Sequence, residues 1–365
     1  MIRERVNIMT VNRHSGRQGA GRGHAAHRVG FTLLWLGFLA WPGGAQANCG
    51  AAFCSLSTDW AGQGVWTEQG VRLDLRYELI TQDTLRNGSR AVDYDSEEAE
   101  AQGLPHLERK TVNRNLLLTV DYAIDSRWAV AVTLPYIDRE HEHIELGGHG
   151  HAELGAPRFH TEGAEPAEES WTIQEPGDAR IVGRYMFGSE DDFLALPRTW
   201  GMEFGLKLPT GATDVDNGDG EVAERPLQPG TGTTDAILGG FVSQRFAGGG
   251  TSLFAKVAAQ EALNEHDDYA PGTRLSLDTG LRFQATTVLG LMAQFNLLWK
   301  DRDHGGEAEP ADSGGTFLFL SPGIALGLAM DFQLYGFYQY PLYQYVNGVQ
   351  LTADQGIVLG LSARF

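Results

Sequence analysis

The chain has 365 residues, 47 of them acidic against 28 Lys and Arg, which gives a formal net charge of −19 at neutral pH. This balance argues against nucleic acid as a partner, because the phosphate backbone needs a basic protein surface. The chain has only two cysteines, Cys49 and Cys54, which argues against a zinc site built from cysteine pairs.

The N-terminal residues have the parts of a secretory signal peptide. An arginine-rich start is followed by an apolar run at 29–41 and by the small-residue sequence "AQA". This order is typical of a leader that is removed after export, and the apolar run is short for a membrane-spanning helix. We predict a cleaved signal peptide over 1–47 and a periplasmic segment over 48–68. In that oxidising compartment Cys49 and Cys54 are expected to form a disulfide.

Alternating apolar and polar residues dominate the rest of the chain. In "GVRLDLRYELI" (70–80), Val, Leu and Tyr occupy every second position and charged residues fill most of the positions between them. A period of two with this contrast predicts a strand that is apolar on one face and charged on the other. The pattern recurs in eleven further stretches, at 116–123, 127–137, 177–187, 199–209, 233–246, 251–260, 273–284, 288–300, 316–328, 331–340 and 355–365.

The connections between these stretches alternate between short and long. The short ones lie at 124–126, 188–198, 247–250, 285–287 and 329–330. The long ones lie at 81–112, 139–176, 210–232, 261–272, 301–315 and 341–354. Short turns on one side and long loops on the other are typical of outer-membrane barrels. We therefore predict an all-β, membrane-spanning, up-and-down antiparallel β-barrel of about 12 strands over 69–365, in the outer membrane of a Gram-negative bacterium.

A soluble β-sandwich or a β-propeller is the competing interpretation. A sandwich does not need twelve strands that are apolar on one face and charged on the other, and no blade-length repeat is visible. The barrel implies outer-membrane lipid and lipopolysaccharide as its surroundings. The final strand ends at Phe365, an ending similar to the terminal signal that such barrels present to the barrel-assembly machinery.

Three glycine-containing motifs carry a resemblance to a known family. A Gly-Asp pair opens the strand in "EPGDARIVGRYMF" (175–187), Pro-Thr-Gly closes "FGLKLPTGATD" (204–214), and Gly-Thr-Gly opens "LQPGTGTTDAILGGFVSQRF" (227–246). This arrangement resembles the outer-membrane barrel family named for the meta-cleavage pathway of phenol degradation, whose members are thought to be transporters. The resemblance implies transport and brings no catalytic residues. The alternative interpretation is ordinary turn chemistry at strand ends.

The charged face of the predicted strands would line the barrel interior. Charges in a narrow lumen either pair into a plug or line a polar path, and both readings stay open. The arginines of this set are candidate constriction residues. The candidate pore-lining residues are Arg72, Asp74, Arg76, Glu78, Asp178, Arg180, Arg184, Glu203 and Lys207.

The stretch "REHEHIELGGHGHAE" (139–153) is predicted to lie in the second long loop, outside the cell. Imidazole and carboxylate groups suit zinc, copper or nickel, so a loop-bound divalent metal is one reading. A solvated acidic loop that bridges divalent ions to lipopolysaccharide is the other. The candidate ligands are His141, His143, His149, His151, Glu145 and Glu153. No other cofactor is predicted.

A channel or transporter for a small solute, an aromatic or other hydrophobic carbon source among the options, is the function that this pattern favours. The competing function is a plugged barrel that binds cations through its His/Glu-rich loop. Catalysis is not expected, because no histidine is predicted on a strand beside a serine or an acid that could orient it. The histidines assigned to long loops are His106, His141, His143, His149, His151, His160, His266 and His304.

Overall fold

The computed structural model describes residues 48–49, 56–59, 63, 69–92, 106–145, 167–191, 197–218, 220–246, 250–328 and 331–365. The predicted signal peptide, Cys54 and the candidate ligands His149, His151 and Glu153 lie outside these residues. The disulfide therefore stays a prediction. Within the described ranges, no helix is long and apolar enough to cross a membrane.

Nearly all described secondary structure is β. The strands are β1 (Asn48–Cys49), β2 (Gly70–Gly88), β3 (Arg90–Ala91), β4 (His106–Ala123), β5 (Trp128–Glu145), β6 (Ala167–Pro176), β7 (Arg180–Asp191), β8 (Pro197–Lys207), β9 (Asp235–Arg245), β10 (Thr251–Ala262), β11 (Arg274–Gln284), β12 (Leu289–Lys300), β13 (Gly315–Gly327) and β14 (Phe332–Arg364). Two three-residue 3-10 helices, η1 (Arg225–Leu227) and η2 (Pro310–Asp312), lie in loops.

The strands form a closed antiparallel barrel in which chain neighbours are also sheet neighbours. The order runs from β14 through β13 to β7, then β5, β4 and β2, and β2 pairs with β14 to close the wall. Two strands pair with the same side of β5: β7 pairs with its residues 128–133, and β6 pairs with its residues 136–145. The short β1 pairs with β14, and the short β3 pairs with β2. A barrel meets the requirement that backbone groups in lipid be hydrogen-bonded within the protein.

The last element passes along the wall twice. Its first part pairs antiparallel with β13, and the part from Val346 onward pairs antiparallel with β2. Gly348, with φ of 59°, lies at the reversal, and the side chain of Leu359 returns to lie beside Gly336. The described wall therefore contains eleven named strands and twelve passes, in agreement with the predicted count.

The predicted alternation is confirmed by burial. Outward apolar side chains such as Leu75, Leu118, Phe204 and Leu277 are exposed, whereas their chain neighbours on the other face are buried or half-buried. An exposed apolar belt around the whole wall is the surface that a lipid bilayer covers. The prediction of a membrane-spanning barrel in the outer membrane is thus supported by the arrangement of the faces themselves.

The wall closes where its first and last strands meet. The backbone N–H of Val71 donates to the carbonyl of Phe365 at 3.1 Å, and the N–H of Phe365 donates back at 2.8 Å. We call this end of the barrel, with the short connections, the terminal end. The opposite end, with the connections 208–234, 263–273 and 301–314, is the loop end, which faces the cell exterior in barrels of this kind.

Three predicted loops are wrong in extent. The stretch 139–145 belongs to β5 rather than to a loop, and β2 and β4 likewise extend beyond the belt, to Gly88 and from His106. The predicted long loop 341–354 is strand with a tight turn. In each case the barrel wall continues above the membrane, where neither face needs to be apolar and the alternating contrast fades.

Of the segment 48–68, the described residues Leu56–Asp59 lie against inward-facing residues of the wall. Leu56 is buried against inward-facing residues of the wall, among them Met292 and Tyr335. Asp59 forms ion pairs with the inward-facing Arg184 and Lys256. Apolar burial at one residue and charge pairing at another hold Leu56–Asp59 within the lumen.

The exposed belt generates the first testable prediction. Leu277→Arg places a charge on the lipid-facing side of β11, where insertion should cost about 2–4 kcal/mol, while Val288→Arg in a short turn should cost about 0–1 kcal/mol because it lies near the interface. Reversible urea unfolding in lipid vesicles measures both values. Equal costs for the two variants would contradict the assignment of the belt.

Candidate functional site

The inner half of the lumen holds a connected set of charged side chains that we call the inner network. Asp121 accepts from Arg72 at 3.1 Å and from Arg184 at 2.9 Å. Glu203 pairs with Lys256 at 2.7 Å and lies 3.7 Å from Arg184. Since each buried charge has an opposite partner, this set has the character of the salt-bridged filling that was one of the two readings of the lumen charges.

Asp59 joins the N-terminal segment to the inner network. Its carboxylate lies 3.3 Å from Arg184 and 3.4 Å from Lys256. The next residue toward the N-terminus, Thr58, accepts a hydrogen bond from Arg76 at 2.7 Å, and Gln294 on β12 donates to the carbonyl of Ser57 at 3.0 Å. The segment is therefore bound to opposite walls of the barrel.

The remaining pore-lining candidates near the β2 wall are also paired. Arg76 contacts Glu78 at 2.9 Å, and Asn115 lies 3.5 Å from the same carboxylate. The hydroxyl of Tyr335 donates to Asp74 at 2.8 Å. All of these side chains face the barrel interior.

The three glycine motifs meet at one carboxylate, Asp178, in an arrangement that we call the Asp178 clasp. One oxygen of Asp178 accepts from the backbone N–H of Gly211 at 3.1 Å. The other accepts from the N–H and the hydroxyl of Thr231, each at 2.9 Å, and from Lys207 at 3.2 Å. Thr210 bridges the same corner, because its hydroxyl donates to the Gly177 carbonyl at 3.0 Å.

Close backbone contact explains the glycines of the clasp. A Cβ on Gly211 would lie 2.7 Å from the Cα of Gly230, and one on Gly230 would lie 2.4 Å from the Gly211 carbonyl oxygen. Gly232 has φ of 72° and a Cβ there would overlap the His266 ring. The motifs therefore make contacts between residues far apart in the chain, and these contacts fix both ends of the connection 208–234. Turn chemistry within each motif does not account for them.

The connection 208–234 is held down on the β5 wall. Arg139, fully buried, donates to the carbonyls of Pro226 at 3.1 Å and Leu227 at 2.5 Å. Arg225 donates to the His266 carbonyl at 2.8 Å and lies over the Tyr269 ring at 5.2 Å. These contacts join the loops into a rigid rim at the loop end.

A second carboxylate, Asp303, organises the neighbouring loops. It accepts from the Gly272 N–H at 2.8 Å, from Lys300 at 2.7 Å and from the Tyr269 hydroxyl at 3.3 Å. The sequence singled out neither Asp303 nor Tyr269, because their role depends on contacts between loops far apart in the chain.

The first two histidines of the His/Glu stretch lie on β5 and point inward, which corrects their assignment to a loop. The Nδ1 of His141 is hydrogen-bonded to Thr111 at 2.8 Å, and His143 lies 3.5 Å from Glu169. The Trp171 ring lies against both imidazoles, at 4.7 and 5.0 Å between centroids. His106 is also on a strand, β4.

Within the residues that the structure describes, no group of three or more His, Cys, Asp or Glu side chains is placed to hold a metal ion. Glu142 lies between His141 and His143 in the chain and therefore on the other face of β5. Metal binding by the distal part of the stretch stays a prediction.

Two carboxyl groups of the rim precede the 3-10 helices and influence each other. Burial, followed by the charge of Glu224, raises the pKa of Glu309 to about 8. Burial raises the pKa of Glu224 to about 7. Because a raised carboxyl pKa means that the folded state favours the protonated form, the repulsion between Glu224 and Glu309 is smallest at low pH.

The chain is similar to several solved structures. The COG4313 outer membrane channel from Pseudomonas putida F1 is 12% identical, with 82% of this chain and 97% of that chain covered at a TM-score of 0.57. The NanC porin is 10% identical, with 80% and 100% covered at 0.41. A Pseudomonas aeruginosa FadL homologue is 11% identical, with 88% and 95% covered at 0.37.

No family model and no curated protein matches the chain. At these identities the first of the structural likenesses shows the fold, and the other two, with TM-scores below 0.5, support no argument. The chain is an outer-membrane β-barrel of a Gram-negative bacterium. The resemblance to the phenol meta-cleavage family remains a prediction from the three motifs.

The Asp178 clasp yields a second prediction. Asp178→Ala removes the acceptor of the Gly211 and Thr231 donors, and each buried donor left unpaired costs about 1–3 kcal/mol. We expect the connection 208–234 to become susceptible to limited proteolysis while the barrel stays folded. Asp214→Ala, at an exposed position of the same connection, is the matched control. Equal protease resistance of the two variants would show that the clasp does not hold the loop.

The rim carboxyls yield a third prediction, on pH. Stability from the protonated carboxyls is present below about pH 4.5, their ordinary pKa, and is lost as the pH rises through 7 to 8. Hydrogen exchange of the 301–314 amides, corrected for intrinsic rates, should therefore quicken between pH 6 and pH 9. Glu309→Gln should remove most of this dependence, and Glu265→Gln, at an exposed loop position, should leave it intact. The same pH dependence in both variants would refute the role of Glu309.

Proposed function

We propose that this protein is an outer-membrane channel for a small polar or charged solute. The barrel is closed, its outer face is apolar, and charged side chains of its strands lie on the inner face. Selectivity set by charged side chains at a narrow point is the usual physical basis of such channels.

The observation that carries this proposal is the uneven accessibility of the paired charges in the lumen. Lys256 keeps 20% of its side chain accessible while its partner Glu203 keeps 4%. Arg76 keeps 16% while Glu78 keeps 2%. At these two pairs the carboxylate is buried and the cationic side chain keeps some accessible surface, which supports a solute path lined at these points by positive groups.

The segment Leu56–Asp59 narrows that path. It lies between the inner network on one wall and Gln294 on another, and its burial leaves less cross-section for a solute. The ionic lining supports a polar solute better than the hydrophobic carbon source that was among the sequence-based expectations. We infer a narrow channel of low conductance.

Planar-bilayer recording tests this function. The purified barrel should conduct, and Asp59→Ala should raise its conductance, because the segment then loses the ion pairs that hold it in the lumen. Asp214→Ala, which removes the same charge from an exposed loop, should leave conductance unchanged. A wild-type barrel and an Asp59→Ala barrel that are both silent would overturn the channel and leave the plugged barrel as the remaining interpretation.

A further inference from the structure

Arg180 and Arg274 occupy equivalent positions in the barrel. Each is the first residue of its strand, β7 and β11, at the loop end of the lumen. The alternation places each of them on the inward face, since the residues that follow, Ile181 and Leu275, are exposed on the outside. Both side chains are half-buried, and the charge of Arg180 acts on Arg274. The two guanidinium groups therefore share one region of the lumen.

These two arginines differ from the other inward-facing cations. Arg72, Arg184 and Lys207 each form ion pairs with carboxylates of the wall. Within the described residues, Arg180 and Arg274 form no ion pair and donate no hydrogen bond. The guanidinium groups of Arg180 and Arg274 therefore face the lumen.

The nearby carboxylates do not form ion pairs with the two arginines, because the carboxylate oxygens accept from other donors. Asp235, which acts electrostatically on both arginines, accepts from Lys207 at 3.0 Å, from Thr233 at 2.7 Å and from Gln260 at 2.6 Å. Asp178 and Asp303 are likewise occupied by the clasp and by Lys300. Glu78, which also acts on Arg180, is paired with Arg76 at 2.9 Å. Each described carboxylate near the two arginines is therefore already bound to another cation.

Two like charges held together without an acceptor raise the free energy of the empty protein. An anion between them would remove that repulsion and satisfy the donors. The guanidinium fork matches a carboxylate in a bidentate geometry that a lysine cannot reproduce. The neighbouring lysines are already neutralised by Asp178, Asp235 and Asp303, so the positive excess is concentrated on the two arginines.

We propose that Arg180 and Arg274 form a binding site for the carboxylate group of a small organic anion, which is the class of solute that passes through the channel. This inference rests on the proposed channel function. The site is at the loop end, where an entering solute would meet it before the inner network. Conduction requires that such binding be reversible.

The test compares Arg180→Gln/Arg274→Gln with Arg282→Gln, which removes one inward-facing charge near the terminal end. Succinate is the probe, and its uncharged dimethyl ester is the comparator. Isothermal titration calorimetry of the purified barrel should show succinate binding that the double variant weakens about ten-fold or more, since it removes charge-assisted hydrogen bonds. Arg282→Gln should bind as the wild type does, and the ester should bind to none of the three.

Bilayer recording on the same samples separates the two proposals. Conduction by the wild type with succinate block that disappears in the double variant supports both. Conduction with succinate affinity equal in wild type and double variant overturns the arginine site and leaves the channel intact. A silent barrel whose succinate binding still depends on the pair overturns the channel alone. Should the double variant fail to show the heat-modifiable migration of a folded barrel, the single variants Arg180→Gln and Arg274→Gln are measured in its place, and unchanged affinity in both overturns the site.

Discussion

In lipid, every backbone N–H and C=O group must be hydrogen-bonded within the protein, and the architecture follows from this requirement. The wall can cross the membrane only if its first strand meets its last, as the reciprocal hydrogen bonds of Val71 and Phe365 show. Once the wall is closed, period-two alternation leaves each side chain one of two environments. The apolar residues face the lipid. The charged residues lie close together in the lumen of a barrel that has only twelve strand passes.

Crowding of charge in that lumen determines how the loops fold. Carboxylates are held against the wall by several donors each, and those donors include backbone groups of the connections as well as lysines. Asp178 illustrates this, because it neutralises Lys207 and at the same time fixes both ends of the connection 208–234. The electrostatics of the pore and the architecture of the rim are thus one arrangement, and a change at Asp178 affects both.

The contrast between strand faces could be predicted from sequence wherever lipid enforces it. It gave the strand stretches, the inward set of charges and the pass count. Above the membrane the outer face no longer needs to be apolar, so the extension of β5 through His141 and His143 could not be predicted from alternation. The tight turn of β14 had a usable signal in the Asn347-Gly348 dipeptide, which is typical of hairpins, although the prediction for 341–354 was a loop.

Contacts between distant segments were beyond prediction from one sequence. The three glycine motifs were visible, but nothing in their spacing showed that Asp178 would join them. The position of Leu56–Asp59 in the lumen had no periodic signal at all. Arg274 was within reach, because it falls in phase with Asp278 and Arg282 in an alternating stretch, but its lack of a partner depends on which acceptors its neighbours leave.

The buried position of Leu56–Asp59 also constrains the order of assembly. The segment precedes β2, the strand that must pair with β14 to complete the wall, and this pairing joins residues nearly a full chain length apart. Contacts of such sequence separation form late and slowly in folding. A segment that lies inside the finished cylinder enters most readily while the seam is still open. The ion pairs of Asp59 with Arg184 and Lys256 would then serve as an internal template around which the last strands come together.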